Sequence, residues 1–116
     1  MREIKKDKLQ VNIYAGRPEL GAAAAETLTA RIAELLKTKE QVNIIFASAP
    51  SQNEFLAELL KKDIEWGKIN AFHMDEYIGL HPDAPQGFGN FLKDRLFSHV
   101  TCRTVNYLNG NTDPQE

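Results

Sequence analysis

The sequence predicts an open, mostly parallel α/β sheet wound with helices on both faces, in the order β-α-β-α-β-α-β. Three observations carry that prediction. Short β-branched or alternating runs recur at intervals, each pair is separated by a stretch with helical apolar spacing, and turn residues mark every change of period.

The first strand is read in "KLQVNIYA", where Leu9, Val11 and Ile13 share one face and Gln10, Asn12 and Tyr14 the other; this is a half-buried strand near a sheet edge. From Pro18 to about Lys37 the period changes. Leu20, Ala24, Leu28, Ile32, Leu35 and Leu36 fall on one stripe of a helix that Pro18 can open. "VNIIFA", Val42 to Ala47, is an interior strand. Ser51 and Glu54 then form the pattern of a capping box, with Phe55, Leu56, Leu59 and Leu60 as the apolar face behind it. "INAFHM" is the third strand. "GFGNFLKDRLFSHV" is a third helix with Phe88, Phe91, Leu92, Leu96 and Phe97 inward, and "TVNYLNG" a fourth strand stopped by a turn.

Bulk composition narrows the classes. At 116 residues, 42% hydrophobic and 26% charged, residues 1–116 make one ordinary α/β domain. A net charge of −2 with scattered basic residues gives no electrostatic reason to expect nucleic acid or an anionic membrane as partner. The densest cluster, Lys5, Lys6 and Lys8, reads as a solvated terminus. Cys102 is the single cysteine, so no intrachain disulfide forms; with no membrane-length apolar run, a cytoplasmic protein is expected.

In sheets of this kind ligands sit beyond the carboxyl ends of the strands. Two loops are expected there, "ASAPS" after the second strand and "DEYIGLH" after the third. Ser48 and Ser51 offer hydroxyls beside a helix start, which suits a phosphate; the competing reading has Ser51 simply capping its helix. Neighbouring side chains of an extended segment point oppositely, so Asp75 and Glu76 cannot both face one ligand. One acid suits a general base, and the plainer alternative is that Asp75 caps its own loop. His73, Asp75 and His81 lack a recognisable metal signature, and no metal or other cofactor is expected. His99 is expected to meet the carbonyls at the end of the third helix, and Cys102 has no base beside it to make it a nucleophile.

Met74-Asp75-Glu76-Tyr77 with Gly79-Leu80 behind it, and Leu108-Asn109-Gly110-Asn111 later, resemble glucosamine-6-phosphate deaminases, also called isomerases. The wider superfamily includes 6-phosphogluconolactonases, whose corresponding segment carries Asp-Glu-Arg; Tyr77 favours the deaminase side. The resemblance implies a doubly wound α/β fold and a phosphorylated amino sugar as substrate. Asp75 would be the base that shuttles a proton between C2 and C1 of the opened sugar, with Ser48, Ser51 and Glu76 as substrate-binding neighbours.

Two departures accompany it. The family's phosphate loop reads Thr-Gly-Ser/Gly-Thr-Pro, whereas Ala47-Ser48-Ala49-Pro50-Ser51 keeps hydroxyls and loses glycines. The family's chains are also longer, with an Asp-Gly-His segment that assists ring opening and further basic phosphate ligands. The sequence is therefore expected to be the N-terminal portion of a longer enzyme, catalytically incomplete alone. It would have an uncovered sheet edge that favours a homo-oligomer or another association. The alternatives are a lactonase-like hydrolase and a noncatalytic sugar-phosphate-binding domain.

Overall fold

A computed structural model describes residues 2–111. The chain opens with an antiparallel pair, β1 (Arg2–Lys6) and β2 (Leu9–Ile13), in register Lys6↔Leu9 to Arg2↔Ile13. The two-residue turn has Asp7 at φ 54°, a conformation Asp tolerates better than most residues. Lys5 and Lys6 thus lie in a strand, with Lys8 in the turn, and all three are exposed to solvent as expected. The predicted first strand exists, but it stands in its own two-stranded sheet. A complementary strand lay two residues upstream, and closing so short a loop costs little.

The parallel sheet holds three strands in the order β3 (Val42–Phe46), β4 (Ile69–His73) and β5 (Thr104–Asn106), so the fold class stands as predicted. Register pairs Val42 with Ile69, Phe46 with His73 and Ala71 with Val105. Val42, Phe46, Ile69, Ala71 and His73 are buried on one face, with Val105 beside them. Ile45 and Phe72, paired on the opposite face, are exposed. That second face is tied at its other end by Asn70, which donates to Gln41 and Asn43 and accepts from Arg103 and Thr104.

Helix α1 (Arg17–Leu35) has Pro18 in its first turn, as expected. Its buried residues are Gly21, Ala25 and Ile32, a stripe rotated from the predicted one, and Leu20 is half exposed. Gly21 explains the rotation. A Cβ there would stand 2.7 Å from Glu54 Cβ and 2.9 Å from the Glu54 backbone carbon, so the missing side chain lets α1 press onto the next helix.

That helix, α2 (Asn53–Leu59), starts two residues later than predicted, behind a 3₁₀ turn at Pro50–Gln52. The capping box does not form. Glu54 pairs with Arg17 Nη2 at 2.8 Å instead, and the same nitrogen donates to the Pro50 carbonyl at 2.8 Å. The last helix, α3 (Phe88–Leu92), continues into a π turn at Lys93–Phe97. Leu56, Leu59, Ile69, Leu92 and Leu96 are the large side chains fully enclosed between helices and sheet. Among the described residues no helix is long and apolar enough to cross a membrane.

Candidate active site

Both predicted site loops leave the carboxyl ends of adjacent strands. Because Phe46 pairs with His73, Ser48 and Asp75 each follow their strand by two residues, on neighbouring strands. The two acids divide as alternation requires. Glu76 turns inward and Asp75 is exposed, with no hydrogen bond or ion pair among the described residues.

Glu76 is the best-anchored polar side chain of the rim. Its Oε1 accepts from Tyr77 N and Phe88 N, and its Oε2 from Gly89 N, all at 2.9 Å. It therefore spans the loop and the start of α3, where backbone donors have no partner inside the helix. Burial pushes its carboxyl upward. The N–H groups of Gly89, Tyr77 and Phe88 outweigh this and hold it below its ordinary value. Glu76 was expected among the substrate-binding residues; both of its oxygens are engaged with backbone.

Ser48 is buried and its hydroxyl has no partner among the described residues. Ser51 is exposed in the 3₁₀ turn, in reach only of Gln52 Nε2 at 3.5 Å, and it caps no helix. The hydroxyls of the two serines thus face different surroundings.

His73 and His81 border one cleft that Asp75 does not line, and among the described residues no group of three such side chains could hold a metal ion. His73 is 4% exposed and its Nε2 accepts the Leu108 N–H at 2.9 Å, so the neutral ring carries its proton on Nδ1. Its ring meets Tyr107 edge-on, centroids 5.7 Å apart. His81 is exposed and accepts from Asp83 N at 3.1 Å. His99 lies 3.1 Å from the Asp94 carbonyl, the helix-end contact expected of it. Burial raises the Cys102 thiol, which suits the absence of a nucleophilic role.

Sequence reasoning missed the cleft beside these groups. About 460 Å³ opens between the 76–83 segment, α3 and the 107–111 segment, with Lys93, Asn90 and Tyr107 among its walls. The two segments are zipped together by Gly79 N to Gly110 O at 2.8 Å and Asn111 Nδ2 to Leu80 O at 2.9 Å. Gly110 permits this approach, since any side chain there would run into the Tyr77 carbonyl. Gly79, at φ 78°, makes the bend on the other side. The Gly-Leu and Asn-Gly-Asn pairs were the available signal, but only their meeting in space gives them a purpose.

A parallel sheet with two loops and a cleft at its carboxyl rim defines an α/β domain built to present loops to a ligand. Solved structures place that fold among known ones. The chain superposes on a monomeric glucosamine-6-phosphate deaminase with a TM-score of 0.74 and 24% identity, covering 84% of this chain and 42% of that one. It superposes on the 6-phosphogluconolactonase of Thermotoga maritima with a TM-score of 0.75 and 18% identity, covering 89% and 46%.

The resemblance read from Met74–Tyr77 and Leu108–Asn111 extends over most of the chain. It is 32% identical over 102 residues to the glucosamine-6-phosphate deaminase of Streptococcus gordonii, covering 88% of this chain and 41% of the relative. To that of Aliivibrio salmonicida it is 32% identical over 105 residues, covering 84% and 40%. The chain thus spans about two fifths of the length of the curated relatives it matches. No family model matches it.

Proposed function

We propose that this chain supplies part of the sugar-phosphate site of a glucosamine-6-phosphate deaminase, an aldose–ketose isomerisation coupled to loss of the amino group. The observation that carries the reading is the similarity to such deaminases over 88% of the chain, which takes in the Asp75-Glu76 pair. In this reading Asp75 is the base. Its carboxylate removes the C2 proton of the opened sugar as the electron pair moves toward the C1 carbonyl, whose oxygen takes a proton from water. The same C2 proton is then delivered to C1 as the nitrogen lone pair forms an iminium at C2, which water hydrolyses to the ketone and ammonium. Glu76 does not touch the sugar; it holds the loop that carries Asp75.

Ser51, exposed in the loop behind β3, and Ser48 behind it are the phosphate-side residues of this reading. The glycine-free loop asks the phosphate to bind through hydroxyls more than through close backbone approach. The setting is cytoplasmic, in keeping with a lone thiol. Association through the sheet edge left open along β3 completes the reading. Substrate handling is assigned to these residues and complete turnover is not.

Calorimetric titration with glucosamine 6-phosphate tests binding, and proton NMR in D₂O tests exchange at C2. The deaminase reading expects saturable binding that Asp75→Asn retains, and exchange that this variant loses. Exchange unaffected by Asp75→Asn would remove the base assignment. Because the fold is shared with 6-phosphogluconolactonase at a TM-score of 0.75, the second reading is a lactonase-like hydrolase. Hydrolysis of 6-phosphogluconolactone without C2 exchange would select it. Binding with neither reaction would select a noncatalytic sugar-phosphate domain.

A further inference from the structure

The 48–51 loop, the phosphate side of the proposed site, is tied to a residue outside that site. Arg17, in the first turn of α1, sends Nη2 to the carbonyl of Pro50 and to Glu54 Oε2, both at 2.8 Å. These partners stand 33 and 37 positions away in sequence. Gly21 brings them within reach. It lies one turn beyond Arg17 on the same face of α1, and its missing side chain lets the helix close onto Glu54.

The Pro50 carbonyl is held twice, by Arg17 and by the N–H of Asn53. The peptide between Pro50 and Ser51 is planar and trans, so fixing its oxygen fixes the Ser51 N–H, which points the opposite way. That N–H has no acceptor among the described residues. The same loop holds the Ser48 hydroxyl, 6% exposed and also unpartnered among them. Burying a hydroxyl unmatched is unfavourable, which points to a ligand that completes the hydrogen bonds of the loop. Arg17 does not supply the counter-charge for such a ligand. Its own charge is matched by Glu54, whose carboxyl is held below its ordinary value chiefly by the hydrogen bond from Arg17. What Arg17 offers the loop is geometry.

We propose that Arg17 is the positioning residue of the phosphate loop: through the Pro50 carbonyl it aims the Ser51 amide at a phosphate oxygen. A loop without glycine takes up positive φ only under strain, and here an outside donor fixes the amide direction instead. The clamp deepens the sugar-phosphate reading and rests on it for the identity of the ligand. It uses no part of the Asp75 chemistry.

Titration of the 116-residue chain with inorganic phosphate, followed at the Ser51 amide by NMR, tests the clamp. The wild-type chain should show a saturable shift at Ser51. Arg17→Met keeps the aliphatic stem and removes the donors, and it should raise the dissociation constant roughly tenfold, the scale of one hydrogen bond. Glu54→Gln breaks the same ion pair, but its amide oxygen still accepts from Arg17 and the tie to Pro50 remains. Phosphate should therefore bind Glu54→Gln as tightly as wild type, whereas a merely structural ion pair would have both variants weaken together. Far-UV circular dichroism unchanged from wild type shows that each variant is folded. Phosphate affinity indifferent to Arg17→Met overturns the proposal, as does equal weakening in Glu54→Gln. Tighter binding in Glu54→Gln overturns it too, since Arg17 would then act as a counter-charge, and so does a Ser51 amide that phosphate does not shift. Absence of C2 exchange with glucosamine 6-phosphate counts against the deaminase reading alone, because Asp75 takes no part in the phosphate titration.

Discussion

Replacing Glu76 by Gln removes one charge and leaves the shape of the side chain almost unchanged. The amide oxygen can keep the two bonds that Oε1 accepts from Tyr77 and Phe88. The amide nitrogen would then face the Gly89 N–H, donor against donor, where Oε2 now accepts at 2.9 Å. A hydrogen bond to a charged group contributes roughly 1.5–3 kcal/mol, and an orphaned buried donor costs about as much again at its lower limit. The side chain is partly exposed, so the expected loss is toward the lower end, about 2 kcal/mol. Urea unfolding followed by circular dichroism should show this as a lower midpoint with unchanged slope.

The pH dependence gives a second, independent check on the same carboxylate. Its folded pKa is depressed from 4.5, so the native state binds the proton less readily than the unfolded chain does. Its contribution is therefore complete above the unfolded value. It fades as pH falls below about 4.5 and through the lower folded value. Glu76→Gln should flatten that part of the stability–pH curve. A variant with wild-type urea midpoint and an unaltered acid limb would refute the claim that this carboxylate ties the loop to α3.

Gly21→Ala should destabilise despite alanine's better helix propensity, because the new methyl meets Glu54 backbone and must push α1 from α2. A cost of about 1–3 kcal/mol is expected by thermal melts, while Gly67→Ala, with nothing nearby, should be close to neutral. Leu92→Ala opens a hole at a fully buried position and should cost about 2–5 kcal/mol in urea unfolding. His73→Phe keeps the ring and removes the acceptor for Leu108 N–H. The amide of Leu108 should then exchange faster with solvent while β4 amides keep their protection, and unchanged exchange at Leu108 would count against the tie.

Much of this protein is legible in one dimension because its cues are local. The β-branched run at Val42–Phe46, the short apolar stretch at Ile69–His73, helical spacing through α1 and turn residues between them are set by neighbours a few positions apart. The same holds for the rim: an apolar strand that ends in two acids must put them at the carboxyl edge, on opposite sides. Only the tertiary structure decided which acid is anchored. Glu76 meets Phe88 and Gly89 across a dozen residues of loop, and no local pattern announces that contact.

The capping box shows the converse. Ser51 and Glu54 have the right spacing, but Arg17, far away in sequence, offers Glu54 a stronger partner than a backbone amide. Hairpin pairing of Leu9–Ile13 was likewise a choice among partners, since a strand's period says which side is apolar and not which strand lies beside it. Period and punctuation are written residue by residue. Partner choice depends on which surfaces the folded chain brings within a few ångströms, and that follows from the whole arrangement.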